Sequence, residues 1–455
     1  MKRVTIALTL AGSLCIGAAC SPTVPLNTQG GSEAPLAEAN SPAEKPEAEE
    51  ARANPTASAQ NTESPRAEGD GEATEWTTAV EPKKLSKTVI QGLDWLVATQ
   101  LKDGSWDQGD QQVRNGERPV GSGNVADTCM ATLALVRSGS SPSTGTYKGS
   151  VLKGAEFILK EVEGSDKDSL YVTGIRGTRV QSKIGTYVDT FTSLMVLTEI
   201  KGRMPDKEGN ARVERAIDKI VNKIEKNQRG DGSWDNRGWA PVLTQSLAGK
   251  GLNRAAQQGS RVNDDTLKKV EKFSSDQYDA RSGGFKASGS AGVDLYAGAA
   301  NSSSLRDADN TYKTKVAKLR KKASAAPTQT ARAEAERQLQ EEIRDADEVA
   351  RAAESTEKAL LTRLQDPNYI SGFGSNGGEE FLSYMLVSES LVVKGGDSWE
   401  EWDETITGLL SKVQNGDGSW SGHHCITGRT FCTAAALLVL MADRAPVPVA
   451  AKMGG

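Results

Sequence analysis

The stretch Ser419 to Leu440, SWSGHHCITGRTFCTAAALLVL, holds both histidines of the 455-residue chain and two of its five cysteines, set against the start of an apolar run. Imidazole and thiolate are ligands for zinc or copper, so His423, His424, Cys425 and Cys432 form one candidate metal set. The Cys-x6-Cys spacing carries no established metal signature, and adjacent histidines diverge unless the backbone turns. A disulfide between Cys425 and Cys432 is the structural alternative, leaving Cys129 as a small buried residue. The third reading is acid/base or nucleophilic chemistry. Asp127, Asp189, Glu379, His423, His424 and Cys432, with Glu380 and Arg429 beside them, all fall at or near the starts of apolar helical segments. Carboxylates beside an imidazole shift each other's pKa, and a thiol at a helix N-terminus meets the same dipole that favours a carboxylate. This third reading requires segments hundreds of residues apart to share one opening.

A repeat supplies the means. QLKDGSW (Gln100 to Trp106), QRGDGSW (Gln228 to Trp234) and QNGDGSW (Gln414 to Trp420) agree at five of seven positions. Each follows an amphipathic stretch: VIQGLDWLVAT, AIDKIVNKIEKN or TITGLLSKV. The Asp-Gly pair breaks the helix because glycine tolerates positive φ. The Trp then packs back over the helix ends while the Gln bonds free backbone groups there, so the motif works as a clamp between neighbouring helices. Between and after the clamps comes a second kind of segment, small and apolar all round, as buried inner helices are: DTCMATLAL from Asp127, DTFTSLMVL from Asp189, CTAAALLVL from Cys432. Asp127 and Asp189 are placed to cap free N–H groups, and Cys432 occupies the matching position. Further inner segments start near Pro241, Ala291 and Glu379, making six outer/inner pairs, and ARSGGF (Ala280 to Phe285) reads as a worn clamp. From Ser304 to Gln365 charged residues and Ala dominate around Pro327, and Leu339, Ile343, Ala346, Ala350, Ala353, Leu360 and Leu364 make a near-heptad stripe. This pattern predicts a charged helical hairpin projecting from the core.

The QxxDGSW segments resemble the QW motifs of squalene and hopene cyclases and of related prenyltransferase repeats. The resemblance spans roughly residues 85–444 apart from the hairpin. It implies an all-α fold, an α6/α6 toroid of two concentric rings of helices, with a central cavity for a small or lipid-like ligand. Function must still be argued from the site. The aspartate-rich DxDD motif by which squalene-hopene cyclases protonate substrate is missing, with DADN at Asp307 to Asn310 the nearest match, and aromatics make up only 5% of the chain. Without that acid motif and with few aromatics to stabilise a carbocation, polycyclisation is not the expected chemistry. Enzyme action in the cavity and a non-catalytic envelope scaffold that lost cyclase chemistry are the two functional expectations.

The ends bound the setting. Lys2 and Arg3 precede an apolar run, and Gly17, Ala18 and Ala19 lead into Cys20, so residues 1–19 read as a signal peptide with Cys20 as the lipidated first residue of a bacterial envelope lipoprotein, or else as a secretion signal. Residues 20–84 are rich in Pro, Ala, Glu, Ser and Thr and read as a disordered acidic tether to the membrane. The remaining divisions are a first toroid part (85–303), the hairpin (304–365), a last toroid part (366–444) and a flexible tail (445–455). A formal charge of -5 supplies no basic footprint, which argues against a nucleic-acid partner.

Overall fold

The computed structural model describes residues 75–109, 122–235, 237–286, 289–366 and 377–452. Cys20, the signal segment and most of the expected tether lie outside the described residues. The protein is all-α, with two short two-stranded pairings. Its helices are α1 (Lys87–Thr99), α2 (Val125–Arg137), α3 (Lys148–Gly164), α4 (Arg179–Lys183), α5 (Val188–Ile200), α6 (Lys207–Lys226), α7 (Pro241–Gln257), α8 (Asp264–Asp276), α9 (Asp294–Ala325), α10 (Gln329–Leu364), α11 (Gly378–Lys394), α12 (Gly396–Lys412), α13 (Arg429–Leu440) and α14 (Val449–Lys452).

Two kinds of helix alternate. Every residue of α2 and α5 is buried, and nearly every residue of α7, α11 and α13, because these segments carry small and apolar side chains around their whole circumference. Helices α1, α3, α6, α8 and α12 bury one face only. In α6 that face is Val213, Ile217, Ile220, Val221 and Ile224, and the helix starts at Asp206, whose carboxylate accepts from Gly209 N. The buried helices pack in chain order: α2 on α5, α5 on α7, α7 on α9, α9 on α11, α11 on α13, and α13 in turn on α2. Each has a half-exposed partner against it: α3 on α2, α6 on α5, α8 on α7 and α9, α10 on α9, α12 on α11, α1 on α13.

The three clamps have one geometry. Trp106, Trp234 and Trp420 are buried, and each indole donates to the carbonyl ten residues earlier, Leu96, Ile224 or Leu410, at 2.7, 2.8 and 2.9 Å. Asp103, Asp231 and Asp417 accept from the backbone and hydroxyl of the serine two residues on. The glutamines reach the first turn of the next half-exposed helix: Gln100 to Ser150 O, Gln228 to Thr266 O, Gln414 to Thr88 O. The last of these joins residues 326 apart and ties the end of α12 to the first turn of α1. Gly104, Gly232 and Gly418 have φ of 89, 86 and 94°, and a Cβ there would lie 2.4, 2.1 and 2.7 Å from a carbonyl of that same neighbouring helix. Positive φ and close approach therefore both demand glycine.

Four sequence expectations need correction. The hairpin exists, but its first arm begins at Asp294, since neither Gly nor Pro interrupts the helix after Gly298; most of residues 295–316 are buried, and Val349, Ala353 and Leu360 of α10 pack against it. The pair is thus an elongated inner/outer pair, and its base does not project. Tyr278–Asp279 and Gly284–Phe285 form a small antiparallel hairpin instead of a clamp, and Gln277 turns back to Phe273 O. At the C-terminal end, Pro446–Pro448 pairs antiparallel with Trp76–Thr78, and Val447 and Ala451 are buried, so residues 445–452 are structured. Residues 76–78, which the expectation gave to the tether, accordingly form a strand.

Candidate functional site

The starts of the buried helices bring part of the predicted set together. Asp127, Asp189, Glu379 and Cys432 are all buried. Asp189, the second residue of α5, accepts from Ala126 N of α2 at 2.9 Å and from Gln181 Nε2 at 2.6 Å. It caps the neighbouring helix as well as lying in its own first turn. Asp127 is held by Asn124 Nδ2 at 2.6 Å, and its Oδ1 has no hydrogen-bond partner. Burial, opposed by Asn124 and reinforced by the charges of Asp107 and Asp189, pushes its pKa up to about 8. Asp189 rises to about 6, again by burial against the hydrogen bonds from Gln181 and Ala126. Glu379 accepts from Ile426 N at 3.2 Å through Oε2, leaves Oε1 without a partner, and is also raised by burial. Cys432 is pushed well up by burial and then by the charges of Glu379 and Asp127, and its Sγ lies 3.5 Å from Ile426 O. A thiol so held is a poor nucleophile. Glu380 takes a hydrogen bond from Tyr384 OH.

The loop that carries both histidines lies near these groups without converging on them. His423 and His424 are exposed, Cys425 is half-buried, and Cys432 faces inward from α13. The proposed ligand set His423, His424, Cys425 and Cys432 therefore does not close on one ion: two members point to solvent while the last is inside. Among the described residues no group of three or more His, Cys, Asp or Glu side chains is arranged to hold a metal ion, so the residues present do not fit the expected zinc or copper. Cys425 and Cys432 are both free thiols, which removes the disulfide alternative. Arg429 binds Asp417 and Ser419 of the third clamp and lies over Trp95 at 5.1 Å, a role in the scaffold.

A second level of charge was not anticipated. Arg137, Glu199, Lys250, Arg254, Asp307 and Glu389 are all buried and bind one another. Arg137 forks onto Glu199 at 2.7 and 2.5 Å and lies 3.0 Å from Glu389. Arg254 is 3.2 Å from both Glu199 and Glu389, and Lys250 is 2.8 Å from Asp307 and 3.1 Å from Glu389. Glu389 of α11 thus meets one residue of α2 and two of α7, helices that do not follow α11 in the packing order. Burial alone would raise its pKa, but Arg137, Lys250 and Arg254 hold it well below the usual carboxylate range.

The chain matches no protein-family model and no curated protein. What it does must be read from these two levels of charge.

The sequence did carry a signal for the second level. Arg137, Glu199 and Glu389 each follow Asp127, Asp189 and Glu379 by ten residues, and Arg254 and Asp307 stand at the corresponding positions of α7 and α9. Ten helical residues span about 15 Å, so the two sets of charges lie at two depths along the buried helices. A charge inside a helix apolar all round is the visible mark, because it must find an opposite charge or leave the interior.

Proposed function

We propose that the protein is an α6/α6 toroid of the squalene-cyclase and prenyltransferase repeat type, exported and anchored through a lipidated Cys20, that serves the cell envelope as a binding scaffold. The QxxDGSW clamps, the order in which the buried helices pack, and the Gln414–Thr88 tie support the ring. The observation that carries the scaffold reading is Glu389, gripped by Arg137, Lys250 and Arg254 from helices on other sides. In a ring these contacts run across the lumen, where a polyprenyl chain would otherwise lie, and fill it with mutually neutralised charge. The carboxylates at the opposite level are spent on helix starts, and the exposed histidines are free for surface contacts.

The test is direct. Purified protein incubated with squalene, or with farnesyl diphosphate and a cysteine-bearing peptide, with zinc and magnesium supplied, yields no cyclised or prenylated product on this reading; turnover with either substrate overturns it. Detergent-phase partitioning of the full chain that is abolished by Cys20→Ala supports the anchor, and unchanged partitioning removes it.

A second reading keeps chemistry at the helix starts. It rests on the buried Asp127 Oδ1 and Glu379 Oε1, which lack partners and could accept from a bound ligand's N–H or O–H. Saturable stabilisation of the wild type by a small amine or alcohol, lost in Asp127→Asn, would favour it.

A further inference from the structure

Around the short helix α4 the surface alternates rings and cations. The Arg176 guanidinium lies over the Tyr171 ring at 3.5 Å, and Tyr171 meets Tyr187 with ring centres 4.9 Å apart. Thr186, beside Tyr187 in sequence, ties the next strip of chain to this pair, its N–H and hydroxyl donating to Arg237 O at 3.1 and 2.9 Å. Two residues on, Trp239 N donates to Ser182 O at 3.1 Å; the indole stands edge-on to Tyr296 with ring centres 6.0 Å apart, and Lys183 Nζ lies over it at 5.6 Å. Trp239 is thus held by its backbone and one neighbour while 40% of it stays exposed. Arg176 is exposed, and the Arg237 side chain is 85% exposed. Asp235 joins them, shared between Arg229 and Arg237 at 3.5 and 3.7 Å, so cations outnumber the acid here in a chain whose overall charge is -5.

Rings fixed beside cations suit a flat, repeating, acidic ligand. A pyranose ring offers C–H bonds on its faces, which lie against an aromatic ring, and a carboxylate at its edge matches a guanidinium. The patch has no exposed large aliphatic side chain to enter a bilayer: Ile90 and Val413, the other large apolar residues left exposed among the described residues, belong to α1 and to the end of α12. We propose that this surface binds an acidic polysaccharide, with sugar rings on Trp239 and Tyr187 and their acid groups on Arg176, Lys183 and Arg237. The proposal rests on the scaffold reading, since an exported protein meets such polymers, and it gives the scaffold a partner. Each contact is exposed and weak by itself, so affinity comes from several along one polymer and falls as salt screens the charges.

The experiment titrates the full chain by calorimetry with polygalacturonate, with its fully methyl-esterified form, which keeps the rings and loses the charge, and with polyglutamate, which keeps the charge and has no rings. Polygalacturonate should bind at low salt about tenfold or more tightly than either control. Trp239→Ala and Arg237→Glu should each weaken it about tenfold, while Ile90→Ala, at an exposed apolar residue elsewhere, leaves it unchanged. Arg237→Glu alters a side chain that is almost wholly in solvent, so the test survives a Trp239→Ala variant that fails to fold. No binding of polygalacturonate by the wild type overturns the proposal, as does equal binding of either control polymer, or binding of phosphatidylglycerol vesicles or oligothymidylate in place of the polysaccharide. The scaffold reading fails separately, by turnover in the squalene or farnesyl diphosphate assay.

Discussion

The two levels of buried charge solve the same problem in opposite ways. At the far level three cations and three carboxylates neutralise one another, and Glu389 stays ionised because Arg137, Lys250 and Arg254 surround it. At the helix starts, carboxylates meet mainly neutral N–H donors, so Asp127 and Asp189 are pushed toward the protonated form. The difference teaches that burial alone does not set a carboxylate's state; what decides is whether an opposite charge follows it inside.

The sharpest way to break this contrast is Glu389→Ala, which leaves Arg137, Lys250 and Arg254 short of an anion. Loss of one partner of a buried ion pair costs about 3–5 kcal/mol, so the denaturant midpoint of the variant should fall markedly. A midpoint within error of the wild type would mean that the network is hydrated and open.

Titration separates the levels next. The folded pKa of Asp127, about 8, lies above its value of about 3.9 in an unfolded chain, so the native state holds the proton more tightly. Its contribution is present in full below pH 4 and is lost as pH rises toward 8, at roughly 1.4 kcal/mol per unit at most. Asp189 adds the same sign between about pH 4 and 6. Glu389, held low, works the other way: what it contributes is present above the carboxylate range and is lost only in strong acid. Unfolding free energy measured from pH 4 to 8 should therefore fall more steeply in the wild type than in Asp127→Asn, and parallel curves would count against a protonated Asp127.

Smaller effects test the frame that holds both levels. Trp420→Phe keeps most of the ring but removes the indole bond to Leu410 O, leaving a buried carbonyl short of its donor, for a loss of about 1–2 kcal/mol by thermal melting. The same change at Trp106 should cost a similar amount, since its geometry is the same. Smallest of all, His423→Ala with His424→Ala should change stability by no more than about 0.5 kcal/mol, because both side chains are exposed. Zinc and copper contents equal to those of the wild type are expected by elemental analysis; metal lost in the double variant would restore the metal reading of the loop.

Legibility divides along the same lines. The clamps could be read because each is a local device: a turn that needs glycine, an Asp bonded two residues on, a Trp returning to its own helix. The alternation of half-exposed and wholly buried helices was equally plain from residue type, as was the place of Asp127, Asp189, Glu379 and Cys432 near the starts of buried helices. The hairpin was misplaced because a charged surface looks alike whether it faces water or a polar core, and Arg306, Asp307 and Asp309 turned out to be inside. The C-terminal strand escaped notice because Pro446–Pro448 has no pattern of its own and is made a strand by Trp76–Thr78, far away in the sequence.

Composition and periodicity alone were enough to establish a helical protein punctuated by three identical turns, since those properties depend on neighbours a few residues away. Which carboxylate is paired, which is protonated and which histidine faces water were decided only when distant helices met. Electrostatic energy inside a protein depends on what lies within a few ångströms, and the chain order of Arg137, Lys250 and Glu389 says nothing about that distance.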